Sequence, residues 1–343
     1  MAINFKTLSL AIFTILVLNA EAAVKGGYWY YDSGLVPSAI DSSYFTHLFC
    51  AFAKLNPNTN KITLPSSTFS TFTQTVQKKN PSVKTLLSIG GGGEGSAPFP
   101  TMANSSASRK IFIDSSIQVA RSNNFHGLDL DWEYPSSEKE KTNFGLLLTA
   151  VAGSDQISPL KYYNGEAISK NLDWVNVMVY DLFIPSGFKT TMRPPAPLYN
   201  PGGQFSGDQG ITAWMNQVGV GAKKLAIGLP FYGYAWKLVN ANNHGLFAAA
   251  NGGGSTPSGD GTPLYSDIRS FIKNQGAKSV YNSTYVTNYC YSGTTWVGYD
   301  DTQSVFAKVN YAKGRGLLGY FAWQIGGDDS WTLSKAASNA WGS

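Results

Sequence analysis

The 343-residue chain has little of what builds disulfide scaffolds or metal centres: two cysteines and three histidines. Two cysteines cannot form a multi-bridge framework, and His47, His126 and His244 stand without metal-ligand spacing. No catalytic serine or cysteine motif is present, so neither metal nor cofactor is expected. Charged residues make up only 14%, with 26 basic against 21 acidic residues and a formal net charge of +5. That surplus is scattered rather than gathered into a basic run, so neither nucleic acid nor an anionic membrane is indicated as a partner. Beyond the first twenty residues no apolar run is long enough to span a bilayer. Internal repeats and low-complexity tails are also missing, which removes the solenoid and fibrous classes.

What is present begins with a leader. Lys6 precedes an apolar run from Leu8 to Leu18 and a small-residue site at Ala20-Glu21-Ala22. This pattern predicts a secretory signal peptide over residues 1–22 and a mature chain from about Ala23. Cys50 lies in the apolar run His47 to Ala53, which reads as a buried strand, so a free core thiol is expected even in an oxidising compartment. Asn104-Ser105-Ser106 and Asn282-Ser283-Thr284 are possible glycosylation acceptors.

Short apolar or β-branched runs then alternate with helical patterns. The strand candidates are Lys25 to Tyr31, Thr46 to Ala53, Val83 to Ile89, His126 to Trp132, Asp173 to Tyr180, Lys223 to Leu229 and Leu317 to Gln324. Between them Phe69, Phe72 and Val76 keep helical spacing, as do Ile113, Ile117 and Ala120, and Val305, Val309 and Ala312 before Gly314. Alternation of this kind implies a parallel sheet, and its length fits one α/β domain, a TIM (β/α)8 barrel over residues 23–343. Residues from about Lys237 to Tyr299 break the rhythm and read as a small α+β insertion before the last strand.

One strand carries the chemistry. In Gly127-Leu128-Asp129-Leu130-Asp131-Trp132-Glu133 apolar and acidic residues alternate with period two, which points three carboxylates to one side, roughly 6 to 7 Å apart. A solvated acidic face on an edge strand is the plain alternative. It conflicts with Phe125, Leu128, Leu130 and Trp132, whose apolar side requires a central strand, where three inward acids are costly without a purpose. Crowded carboxylates cannot all ionise cheaply, so at least one is expected to keep its proton near neutral pH, as a general acid must. Glu133, nearest the carboxyl-end mouth, is best placed to donate it, with Asp131 deeper and tuning it. Gly90, Gly92 and Gly95 satisfy Gly-x-Gly-x-x-Gly, but Pro98 and Pro100 follow where a dinucleotide fold needs a helix, so a phosphate site is not expected.

With these residues in place the chain resembles family 18 of the glycoside hydrolases, and within it the plant class V chitinases. The resemblance rests on His126-Gly127-Leu128-Asp129-Leu130-Asp131-Trp132-Glu133-Tyr134-Pro135, Ser88-Ile89-Gly90-Gly91, Met178-Val179-Tyr180-Asp181, Tyr232-Gly233-Tyr234-Ala235-Trp236 and Gly319-Tyr320-Phe321-Ala322-Trp323. It implies a retaining, substrate-assisted hydrolysis of chitin or chitooligosaccharides. Glu133 protonates the glycosidic oxygen while the sugar's own 2-acetamido oxygen attacks the anomeric carbon. By the same resemblance Asp131 orients the acetamido group, Asp129 supports Asp131, and Tyr180 hydrogen-bonds the acetamido oxygen. Trp323 becomes the floor under the distorted sugar, with Tyr28, Phe52, Gly91, Tyr134, Met178 and Asp181 lining the same subsite. A monomer is expected, and secretion to the apoplast is expected because no extension of the kind that vacuolar plant relatives carry follows Trp341-Gly342-Ser343.

The chain departs from that pattern in one interval. Only Ser136 to Leu148 separates the acidic motif from Thr149-Ala150-Val151, whereas a parallel crossover needs ten to twelve residues with its helix. Either the helix from Glu138 or the strand Leu146 to Val151 is truncated, and the fourth βα unit is shortened. His126 and Phe188 also replace residues usual in the family, without removing a catalytic group. Three readings follow: a chitinase, including one acting on lipo-chitooligosaccharides; a chitin-binding lectin with little turnover; and an inhibitor of other glycosidases on the same scaffold.

Overall fold

The computed structural model describes residues 23–147, 152–153, 160–203 and 205–342. The expected leader over residues 1–22 lies outside them. Among the described residues eight parallel strands form the main sheet: β1 Val24–Tyr30, β2 His47–Leu55, β3 Lys84–Gly90, β4 Gly127–Asp131, β5 Ala152–Gly153, β6 Val175–Met178, β7 Leu225–Pro230 and β8 Gly319–Trp323. Their ladders run in the order β4-β3-β2-β1-β8-β7-β6-β5, which is chain order carried around a barrel. The period-two pattern gives the sheet two buried faces. Trp29, Cys50, Leu87, Ile89, Val177, Ile227 and Ala322 face outward into the main hydrophobic core. Tyr28, Phe49, Ala51, Leu86, Met178, Ala226 and Phe321 form a second cluster inside the barrel. The fold is thus the TIM barrel with an inserted unit that the alternation implied.

The helices bury the residues whose spacing announced them, with one exception. Thr68–Gln77 buries Phe69, Phe72 and Val76, and Thr302–Gly314 buries Val305, Val309 and Ala312. The latter opens on a reciprocal cap between Asp301 and Ser304, which satisfies two backbone donors left free at a helix start. In Ser106–Ser122 the buried stripe is Phe112, Ser115, Ser116 and Ala120, not the Ile113–Ile117–Ala120 face the apolar residues suggested. Ile117 is 37% exposed. The serines win because their hydroxyls are satisfied: Ser116 Oγ donates to the Phe112 carbonyl at 2.8 Å, and Ser115 Oγ accepts from the Ile62 amide at 3.1 Å. Small, satisfied side chains let the helix lie closer to the sheet than two isoleucines would.

In the shortened fourth unit the helix is kept. Glu138–Leu147 remains a ten-residue helix with Asn143, Phe144 and Leu147 buried, a helical spacing that carries Leu146 and Leu147 into the helix rather than the expected strand. Residues 148–151, the rest of that expected strand, lie outside the described residues. Ala152–Gly153 pairs with β6, while among the described residues no ladder joins β4 to β5.

A separate antiparallel sheet sits in the connection between β7 and β8. Its five strands run in the order Ala250–Gly253, Gly233–Leu238, Thr295–Tyr299, Thr287–Ser292, Lys278–Asn282, and helix Tyr265–Gln275 belongs to the same stretch. Trp236 and Trp296, centroids 5.5 Å apart and edge to face, anchor its core with Tyr289. The sheet begins at Gly233, so the Tyr232-to-Trp236 motif lies at the junction between barrel and insertion. Cys50 and Cys290 are both buried and unpaired.

Candidate active site

The carboxyl ends of β1, β2, β4, β6 and β8 converge on a cleft of about 390 Å³. Its lining includes Tyr28, Phe52, Asp131, Glu133, Tyr134, Met178, Tyr180, Asp181 and Trp323, together with Gly92, Ile184 and Phe321. Nine of the eleven residues singled out from the sequence are therefore brought together. Asp129 and Gly91 lie just behind the wall.

The acidic strand is fixed by its register with β3, which sets Ser88 beside Asp129 and Gly90 beside Asp131. Asp129 points into the barrel, where its Oδ2 accepts from Ser88 Oγ at 2.6 Å and from Tyr28 OH at 3.0 Å. The Tyr28 hydroxyl in turn accepts from Asn176 Nδ2 at 2.9 Å, and Asn176 Oδ1 accepts from Trp174 Nε1 at 2.8 Å. One polar chain thus crosses the barrel interior from β6 to β4. Asp131, 4% exposed, has a buried Oδ1 without a hydrogen-bond partner, and it shares a hydrogen bond with Glu133. Glu133 follows the end of the strand. Its amide donates to Ser96 Oγ at 2.8 Å, and Ser96 Oγ lies 2.9 Å from the Gly91 carbonyl and 3.2 Å from that of Asp131.

Burial dominates the electrostatics. It pushes Asp129 up to about 7 against the opposing hydrogen bonds of Ser88 and Tyr28. It pushes Asp131 well above the usual carboxylate range, and the charges of Glu133 and Asp129 add to that. A deprotonated, dry carboxylate beside two others is costly, which favours keeping a proton in the Asp131–Glu133 pair. The expectation of a retained proton on this strand therefore has a structural cause.

The glycine-rich turn after β3 serves this arrangement. Gly90 has φ +110°, and a Cβ there would lie 2.2 Å from the Asp131 carbonyl oxygen. At Gly95 a Cβ would meet the Gly90 carbonyl oxygen at 2.1 Å. These glycines let two backbones touch directly beneath the acids. Pro98 and Pro100 do not prevent a helix, contrary to the sequence expectation. Pro98 caps the five-residue helix Phe99–Ala103 and Pro100 lies in its first turn, where a missing amide donor costs nothing. What argues against a phosphate cradle is instead the use of the turn as packing against Asp131.

The aromatic side of the cleft comes from β1, β2 and β8. Trp323 stacks on Phe52 with centroids 5.4 Å apart and planes 28° apart, and Tyr28 meets it edge-on at 5.5 Å. Non-proline cis peptides occur at Ala51-Phe52, Glu133-Tyr134 and Trp323-Gln324. Opposite, Tyr180 is 6% exposed, and Asp181 Oδ1 accepts from Tyr232 OH at 2.6 Å. Tyr180 and Tyr232 are both held protonated, first by burial and then by the charge of Asp181. Tyr180 can therefore donate a hydrogen bond across the whole working pH range.

Ser96, Asn176, Ile184 and Phe321 were not singled out from the sequence. Asn176 carried a signal, a lone amide at an inward position two residues before Met178 in an apolar strand. Ser96 carried none, because its partner Glu133 is 37 residues away.

The family model for glycosyl hydrolases family 18 matches residues 25–328. The chain belongs to that family. It is 50% identical to a class V chitinase of Arabidopsis thaliana, over 96% of this chain and 92% of that protein. That alignment runs over 353 positions, about two dozen more than 96% of this chain supplies, so the relative carries segments with no counterpart here. Among solved structures, a chitinase-like agglutinin from Robinia pseudoacacia is 58% identical, with a TM-score of 0.88 over 93% of this chain and 100% of that one. A mutant class V chitinase from Nicotiana tobaccum in complex with NAG4 is 48% identical, with a TM-score of 0.88 over 94% and 99% of the two chains.

Proposed function

We propose that this family 18 protein hydrolyses β-1,4 linkages between N-acetylglucosamine units, with retention and by participation of the substrate. The observation that carries this reading is the buried Asp131 set against Glu133 at the mouth of a cleft that also offers Trp323. Glu133 delivers its proton to the glycosidic oxygen. The acetamido oxygen of the sugar closes on the anomeric carbon as that bond breaks, so no protein nucleophile is required. Positive charge then develops on the oxazolinium ring, where the Asp131 carboxylate stabilises it in a dry setting. Tyr180 donates to the acetamido oxygen and aligns it, and water opens the ring with Glu133 now acting as base.

Purified protein incubated with chitohexaose is expected to release shorter oligomers, followed by chromatography. Intact hexamer after prolonged incubation would sink this reading. A second reading, a binding protein without turnover, draws on the shortened fourth unit beside the strand of Asp131 and on the likeness to an agglutinin. It requires tight oligomer binding together with no product.

Both readings need Trp323. Trp323→Ala removes the apolar face against which a pyranose ring packs, and affinity for chitotetraose is expected to fall by about one to two orders of magnitude. Calorimetry giving the parent affinity would remove Trp323 from the site. Secretion to the apoplast through the leader Lys6 to Ala22 belongs to the same proposal. Recovery of processed protein from vacuoles alone would contradict it.

A further inference from the structure

The end of the barrel opposite the cleft holds a cavity of about 900 Å³ that the hydrolase reading does not use. It is lined from the amino ends of the strands: Lys25 in β1, His47 at the start of β2, Lys84 at the start of β3, Trp174 just before β6 and Lys224 just before β7. Four lysines line the cavity against a single carboxylate, Asp173.

The four are not equivalent. Lys79 is paired with Asp41 at 2.9 Å, and Lys224 Nζ donates to the carbonyls of Ser169 and Leu172. Lys25 and Lys84 have no carboxylate within ion-pair distance among the described residues. Burial and the charge of Lys313 hold Lys25 below the ordinary lysine range. Burial and Lys84 push His47 down to about 4, leaving that ring neutral. The positive field of the cavity is therefore lysine alone.

The lining also indicates what kind of anion fits. A single phosphate is favoured by an arginine fork, and no arginine is among the residues that line this cavity. Separate ammonium groups on flexible stems suit charges that are spread along a ligand. Tyr44 and Trp174 add aromatic surface to the same lining. Trp174 is only partly buried, with its indole N–H turned to Asn176. A cavity of this volume accommodates a ligand of one to a few rings.

We propose that the cavity at the amino ends of the strands binds an acidic saccharide, a chain of uronic acid units, whose carboxylates meet Lys25 and Lys84 and whose ring packs on Trp174. Because the cavity and the cleft lie at opposite ends of the barrel, the protein holds an acidic polysaccharide on one face and leaves the cleft free. The inference does not rest on turnover and holds equally for a protein that only binds in the cleft.

The test is titration of the whole protein with oligogalacturonate, alone and in the presence of chitotetraose. Saturable binding is expected, unaffected by chitotetraose, and weakened at least about tenfold between roughly 0.05 M and 0.5 M salt. The Lys25→Gln/Lys84→Gln variant is expected to lose at least about tenfold in affinity for oligogalacturonate. Its melting temperature and chitotetraose affinity are expected to stay those of the parent. Lys84→Glu, at an exposed strand start, carries the same test should the double variant fail to fold. Parent affinity in these variants, competition by chitotetraose, or inorganic phosphate binding as tightly as oligogalacturonate would each overturn the proposal.

Discussion

Glu133→Gln is expected to lower the rate of chitooligosaccharide hydrolysis by about two to four orders of magnitude while leaving affinity within about twofold. The amide keeps the shape of the side chain, and the backbone amide of residue 133 still donates to Ser96 Oγ. Only the transferable proton is lost. Asp131 also loses the charge of Glu133, the second cause of its raised pKa, and so becomes easier to ionise. The neutral amide can still donate to it, which preserves the pair's geometry. Steady-state rates and calorimetric titration together check this: loss of binding in step with rate would assign Glu133 to positioning, and an unchanged rate would remove it as the acid.

Asp129→Asn is expected to become progressively more stable relative to the parent as pH rises. Burial raises the folded-state pKa of Asp129 to about 7 from an ordinary 3.8. The folded state thus binds this proton more tightly than the unfolded chain. That stabilisation is fully present below about pH 4 and is lost as pH rises through about 7, an effect on the order of 4 kcal/mol. The raised pKa of Asp131 acts in the same direction. Asparagine is neutral throughout and can keep both bonds with its carbonyl oxygen, because Ser88 and Tyr28 donate to the same carboxylate oxygen. Urea unfolding of both proteins at about pH 4, 6 and 8 measures the difference. A gap between them that does not change with pH would show that Asp129 is not held protonated by its surroundings.

Much of this site could be read from the chain because strands write their geometry locally. Asp129, Asp131 and Glu133 alternate with Leu130 and Trp132, and period two alone places the acids inward and the apolar residues against helices. Strand positions around the barrel were legible for the same reason, within one or two residues at most ends. What escaped depends on contacts between distant segments. Asn176 meets Tyr28 across 148 residues, and no local spacing encodes that pairing. The face of Ser106–Ser122 was misjudged because hydrophobicity favours Ile113 and Ile117, whereas close approach to the sheet favours Ser115 and Ser116. Gly90, Gly92 and Gly95 were visible as a motif, but their role follows only from the register that sets β3 beside β4.

The fourth unit shows the limit of sequence spacing in the other direction. The short interval was plain, yet spacing alone could not say whether helix or strand would be lost. Burial of Phe144 and Leu147 on one helical face keeps Glu138–Leu147 helical.

The central claim, that the substrate's own acetamido group does the work of a nucleophile beside the Asp131–Glu133 pair, is tested most directly by the configuration of fresh product. Proton NMR of chitohexaose during the first minutes of hydrolysis reads the anomer before mutarotation. The β anomer is expected, with no cleavage of a matching oligomer that lacks the N-acetyl groups. Initial release of the α anomer, or equal cleavage of the deacetylated oligomer, would contradict the mechanism.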